Sequence, residues 1–179
     1  MEHIIFISIG VVIFLVFLGS MSIVHIRTMR DDLNTRWYNL ADKLQYRQDL
    51  MPNLVETIRL HIPDNKKIEY ERIIDQSIQV RDKAGKNAVP GAEKIAIEHS
   101  LSGNIKQLLD LAIENRELSQ NTNFLELRKE FKEISKEIEE MSNEYNVKVR
   151  HHNRSVKRIY NLIPVLLMRY SKKKIFEFE

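Results

Sequence analysis

Cysteine does not occur in this sequence. Disulfides, thiol catalysis and cysteine-ligated zinc are thereby excluded, although the absence names no compartment. Glycine and proline are scarce, 5 and 4 residues in 179. So few chain breakers beside 30% charged residues suit long helices and not a turn-rich β fold. An excess of one charge sign is also missing. The 28 basic and 25 acidic residues leave +3, which gives no warrant for a nucleic-acid partner. This length accommodates one membrane segment and one modest domain.

The most distinctive feature present is an apolar run. Ile4–Ile26, "IIFISIGVVIFLVFLGSMSIVHI", contains no Asp, Glu, Lys or Arg, and His25 is its only ionisable group. At about 1.5 Å per residue such a helix spans about 34 Å, enough to cross a hydrocarbon core of about 30 Å. A cleaved signal peptide would need a positive n-region, a shorter apolar core and a small-x-small site. Here the first three residues are Met-Glu-His, the run is long, and Ser20-Met21-Ser22 is a weak cleavage candidate. The expectation is a retained anchor over 4–26, preceded by a short N-terminus over 1–3. No Lys or Arg precedes it, whereas Arg27, Arg30, Arg36 and Lys43 follow. The positive-inside rule then puts Met1 outside and the larger part of the chain in the cytoplasm.

Beyond the anchor, apolar residues recur at helical spacing. Leu33, Trp37, Leu40, Leu44, Met51, Leu54 and Ile58 follow a four-three rhythm whose one skipped position is Arg47. The rhythm keeps phase across Pro52, which favours a kinked continuous helix over a new helix capped by Asp49. The first helix is expected to end near His61–Pro63, with Asp64 capping the next. Tyr70, Ile73, Ser77, Val80 and Ala84 make a second stripe over about Asn65–Lys83, widened by Ile74 and Ile78. "AGKNAVPGA", Ala84–Ala92, reads as a loop. A third helix, about Glu93–Asn115, carries Ile97, Leu101, Ile105, Leu108 and Ala112, with Gly103 as its weak point.

"NRELSQNTNF", Asn115–Phe124, is polar and turn-like, and Asn123 is the expected N-cap of the last helix. Leu127, Phe131, Ile134, Ile138, Met141 and Tyr145 continue the rhythm, which slips to Val149 and resumes at Val156, Ile159 and Ile163. The fold class expected is all-α: an N-terminal transmembrane helix, then an antiparallel up-down-up-down bundle of about four long helices over 27–163. Residues 164–179 form a basic, aromatic tail. This topology returns the C-terminus toward the membrane. There Arg169, Lys172, Lys173 and Lys174 would contact anionic lipid. In the alternative, the apolar run around Pro164 closes the base of the bundle and the lysines are solvated.

No convincing catalytic set is present. There is no glycine-rich phosphate loop and no His-Glu-x-x-His. His151 and His152 are adjacent, so a helix points them to different faces. His61 and His152 fall near seam positions, where hydrogen-bonded histidines outnumber metal ligands. No cofactor or metal is expected. Arg47 is the polar residue of most interest. Either its stem packs while its head reaches water, or it pairs with an acid on another helix and sets register.

Three segments carry a resemblance. "NTRWYNLADKLQYRQDLMPNLVETIR", Asn34–Arg59, is similar to the signature of the LemA family of bacterial membrane proteins. The matching positions are Asn39, Leu40, Arg47, Asp49, Leu50, Met51, Pro52, Asn53, Leu54 and Val55. "NTNFLELRKEFKEISKEIEEMSNEYN", Asn121–Asn146, resembles the family's Asn-x-x-Phe-x-x-Leu stretch and later Tyr-Asn, and "RYSKKKIFEFE" resembles its Lys-rich ending. The sequence departs from the family pattern where Pro63 closely follows the first block. The resemblance implies a single-pass anchor, an extracytoplasmic N-terminus and a cytoplasmic helical bundle at the bacterial inner membrane. It implies no enzymatic activity.

The leading expectation is therefore a membrane-anchored scaffold or adaptor acting through a protein partner or self-association. The runner-up is a membrane-organising protein that self-associates and grips anionic lipid through its tail. A metal-dependent enzyme is a third class, disfavoured by the missing ligand motifs.

Overall fold

The computed structural model describes residues 2–86, 91–158 and 170–176. These are overwhelmingly helical, with no strand among the described residues. Helix α1 spans Glu2–Arg59, α2 Lys67–Lys86, α3 Ala92–Glu114, α4 Arg116–Ser119 and α5 Thr122–Ser155. The chain divides into two compact units. The first comprises Met1–Arg36 and Tyr145–Ile175, and the second Trp37–Glu144 and Phe176–Glu179.

Helix α1 runs unbroken through Pro52. The ring removes the amide that would bond the Gln48 carbonyl, yet the exposed position of Pro52 leaves its phase-mates Met51, Leu54 and Ile58 buried. Packing on both sides of the proline holds one helix where an isolated peptide would break. The helix stops at Arg59, slightly before the expected His61–Pro63, because Pro63 biases its predecessor away from helical geometry. Asp64 does not cap the next helix. Pro63 stands at the N-cap of a short 3-10 turn, Asp64–Lys66, with no side-chain cap, and α2 begins only at Lys67.

Within the second unit the contacts define an up-down-up-down order. Arg59 on α1 reaches Glu71 on α2 at 2.9 Å, while Gln48 lies beside Gly85, so α1 and α2 are antiparallel. The Tyr70 hydroxyl donates to the Leu111 carbonyl at 2.7 Å, and Lys94 Nζ donates to the Ala84 carbonyl at 2.8 Å, so α2 and α3 are antiparallel. Lys43 meets Glu137 and Tyr46 meets Glu130, so α1 and α5 are antiparallel. The core is the expected α1 seam together with Tyr70, Ile73, Ile74 and Ala84 of α2, Leu101, Leu108 and Ala112 of α3, and Phe124, Phe131 and Ile138 of α5.

Several local expectations change. The seam of α3 passes through Lys94 and Glu98, with Ile97 only half-buried, so polar residues continue the four-three rhythm of Leu101, Ile105, Leu108 and Ala112. Gly103 is exposed and lies off this seam. The turn-like stretch after Asn115 contains the short helix α4, capped by Asn115 Oδ1 accepting from the amides of Glu117 and Leu118. Asn121, not Asn123, caps α5: its Oδ1 accepts from the Phe124 amide at 3.1 Å. Helix α5 ends at Ser155, and Val156 lies in a turn. Asn87 to Pro90 of the expected loop, Ile159, Ile163 and Pro164 lie outside the described residues.

In the first unit, Asp32 on α1 accepts from Lys148 Nζ on α5 at 2.9 Å and from Arg36 Nε at 3.1 Å. The hydrogen bond from Lys148 and the nearby charges hold its carboxyl below the usual carboxylate range, against a modest opposing effect of burial. The apolar residues Phe6, Ile7, Val12, Phe14, Val16 and Val24 are all more than half exposed. Surface of this kind is costly in water. Ser20 satisfies its own hydroxyl by donating to the Phe17 carbonyl at 2.8 Å, the local solution that lipid also permits. By length and composition α1 is the one helix among the described residues that could cross a membrane.

Candidate functional site

The polar centre of the second unit is built around one carboxylate. Arg47 occupies the skipped seam position of α1, so the four-three geometry of the helix aims it inward. Its Nη2 donates to Glu98 Oε2 at 2.7 Å, and its Nη1 donates to Ser102 Oγ at 2.9 Å. The side chains of Arg47 and Glu98 are 1% and 0% exposed. The other carboxylate oxygen, Oε1, accepts from Gln48 Nε2 at 2.8 Å and from Lys94 Nζ at 2.7 Å. Ser102 donates onward to the Glu98 carbonyl, and Lys94 to the Ala84 carbonyl. Burial pulls the Arg47 guanidinium below its ordinary value, and the charge and hydrogen bond of Glu98 oppose that pull.

This network ties α1, α2 and α3 together through internal acceptors. The inward pair is the second of the two readings of Arg47, with Glu98 as the acid. Neither Glu98 nor Lys94 stands out as a site residue from the sequence. Their common signal is that Lys94, Glu98 and Leu101 share the spacing of a seam.

The remaining motif residues divide by face. Leu40, Leu50, Leu54 and Val55 are buried core. Asn39, Asp49, Pro52 and Asn53 are exposed. Asp49 accepts from Gln45 at 2.8 Å, and the Asn53 carbonyl accepts from Thr57 Oγ1 at 2.8 Å. Asp49 and Pro52 also line a shallow polar cleft of about 410 Å³ with Arg81 and Asp82.

A larger groove, about 950 Å³ and open to solvent, runs between α3 and α5. Ile105 and Phe131 are buried in its floor, and Leu109 and Ile113 wall it on the α3 side. Arg128, Lys132 and Lys136 form its α5 edge.

The histidines find ordinary partners. His61 Nδ1 lies 3.0 Å from the Thr57 carbonyl, and its Nε2 lies 3.5 Å from Asn121 Nδ2. His152 is buried in its own unit with Nε2 donating to the Ser171 carbonyl at 3.3 Å, whereas His151 is exposed. Burial and the positive charge of Lys173 lower the His152 pKa, against the opposing carbonyl. No cluster of metal-binding side chains occurs among the described residues.

In the tail, Lys172 and Lys174 are exposed and Lys173 is half-buried. The Asn153 side chain makes reciprocal bonds with the Lys173 backbone, both 2.8 Å. Arg30 lies over the Tyr170 ring at 5.4 Å. Arg169 lies outside the described residues. In the second unit, Phe176 packs edge-on against Trp37 at 5.7 Å, and its carbonyl accepts from Ser142.

A family model described as the LemA family matches residues 36–179. The chain belongs to the LemA family. The match holds Arg47, the groove and the tail of this LemA-family chain, and begins beyond its apolar run. No curated protein matches the chain.

Proposed function

We propose that this LemA-family chain is a membrane-anchored helical scaffold or adaptor of the bacterial envelope that acts through protein contacts. It is a single-pass protein of the inner membrane, with Met1 outside and the bundle in the cytoplasm. One observation carries the reading: α1 supplies an exposed apolar run, while the buried charges of the bundle, Arg47, Lys94 and Glu98, bond to one another. The first feature asks for lipid. The second is interior scaffolding and leaves the bundle's surface as its working part. Orientation is supported by Arg27, Arg30, Arg36 and Lys43 following the run with no Lys or Arg before it.

Two measurements test the reading. A reporter fused after Glu179 that works only in the cytoplasm is expected to be active; inactivity reverses the topology. Affinity capture from native membranes is expected to recover a reproducible partner, or a second copy, above a control carrying the anchor alone. Recovery equal to that control removes the scaffold reading.

A second reading, membrane organisation through self-association and anionic lipid, is favoured by the exposed Lys172 and Lys174. Tyr170 meets Arg30, just past the apolar run and in the same unit. A basic residue near an anionic surface contributes about 1 kcal/mol. Replacing Lys172, Lys173 and Lys174 with Gln is expected to weaken binding to phosphatidylglycerol vesicles and to alter localisation. Unchanged binding and localisation remove that reading.

A further inference from the structure

The groove between α3 and α5 sets apolar residues of one helix beside cations of the other. We infer that it docks an acidic amphipathic helix of a partner protein, an inference that rests on the scaffold reading and specifies its contact surface. Ile105, Leu109 and Ile113 recur every four residues along α3 and present an apolar strip to the groove. Along the facing helix, Arg128, Lys132 and Lys136 also recur every four residues. An apolar strip lies beside a cationic rail, and both run along helix axes.

Charge complementarity selects the occupant. The lining holds Lys106, Arg128, Lys129, Lys132 and Lys136 against Asp110, Glu133 and Glu139. Some of this charge is already engaged: Lys129 lies 3.8 Å from Glu133, and Lys136 lies 3.8 Å from Glu140. Lys106, Arg128 and Lys132 make no ion pair among the described residues, and all three are exposed. Asp110 and Glu139 also make no ion pair among the described residues, so Lys106 and Asp110 balance on the α3 wall and the net unspent charge, Arg128 and Lys132 against Glu139, is positive on the α5 wall. A helix with apolar residues at i, i+3/i+4 and i+7 fills the strip, and Asp or Glu on its flanks meets the cations.

Shape argues for a helix over a lipid chain. A lone acyl chain gains most from an enclosed cavity, where its whole surface leaves water. This groove is open to solvent, which suits a ligand that keeps a polar face in water. The strip Ile105–Ile113 rises about 12 Å and the rail Arg128–Lys136 a similar distance, about two to three helical turns.

The test uses the full chain in phosphatidylcholine nanodiscs, which offer no anionic lipid. A display library of helix-forming peptides with fixed apolar positions and a polar face randomised over Asp, Glu, Lys and Gln is selected on it. Selected peptides are expected to be enriched in Asp and Glu. Their affinity is expected to fall at least tenfold for Arg128→Glu/Lys132→Glu, at unchanged melting temperature, and Leu109→Ala is expected to weaken them without changing the preference for acid.

Enrichment of neutral or basic peptides, or affinity unaffected by the reversal, overturns the inference. A wild-type dimer that the reversal dissociates also overturns it and assigns the groove to a second copy. Binding to phosphatidylglycerol vesicles that depends on Arg128 and Lys132, without peptide enrichment, overturns it in favour of a lipid surface. Should native-membrane capture recover the same partner with wild type and Arg128→Glu/Lys132→Glu, the scaffold reading stands and this groove falls.

Discussion

Arg47 on α1 and Glu98 on α3 meet at 2.7 Å, both essentially inaccessible to water. Taking one member from such a pair strands the other without solvent, at a cost of about 3–5 kcal/mol. The two ends are unequal here. Glu98→Ala leaves both Arg47 and Lys94 facing a lost anion, whereas Arg47→Met leaves Glu98 with Lys94 and Gln48. Urea denaturation is expected to show Glu98→Ala near the upper end of that range and Arg47→Met less affected. Arg47→Met/Glu98→Met is expected to lose less than the sum of Arg47→Met and Glu98→Met. Equal, additive losses would mean that the pair is not coupled.

Gly103 is a place to gain stability. It lies inside α3, is exposed, and a Cβ built there meets nothing within 4 Å. Gly103→Ala removes backbone freedom from the unfolded chain and adds no clash, so it is expected to stabilise by about 0.5–1 kcal/mol. A raised denaturation midpoint at unchanged slope checks this.

Phe176 holds the end of the tail to the single tryptophan. Phe176→Ala is expected to expose Trp37 and shift its emission to longer wavelength, while far-ultraviolet circular dichroism keeps its helical signal. Truncating a buried phenylalanine costs about 3–5 kcal/mol. Unshifted emission would count against the contact.

His152 sets a pH dependence. Its folded pKa lies below the ordinary histidine value of 6.5 because the neutral ring is favoured by burial. Between the folded pKa and 6.5 the unfolded chain binds more protons, so stability rises with pH through that window. It is complete above the window and is lost as pH falls through the folded pKa. Thermal melts between pH 5 and 7 are expected to show this slope, and His152→Gln to flatten it.

Much of the helical framework was legible because periodicity is local. Leu33, Trp37, Leu40, Leu44, Met51, Leu54 and Ile58 are all buried as their spacing requires. The same spacing rule covered Glu98 and Lys94, but a hydrophobicity criterion passes over charged residues and selected Ile97 instead. Helix ends were harder. Asn121 and Asn123 are equally good caps by chemistry, and the first turn of α5 forms at Asn121. The stop at Ser155 lies beyond any Pro or Gly signal, so the sequence offered no local mark for it.

The sequence by itself determined an apolar segment without formal charge, amphipathic helices and a seam interrupted by arginine, because each depends only on neighbours within a few turns. Tertiary structure alone decided that Arg47 meets Glu98, 51 positions away, and that α3 and α5 leave a groove edged by Arg128 and Lys132. Those outcomes depend on the register of one helix against another. Register is set by the joint fit of many side chains, and that fit has no period along the chain.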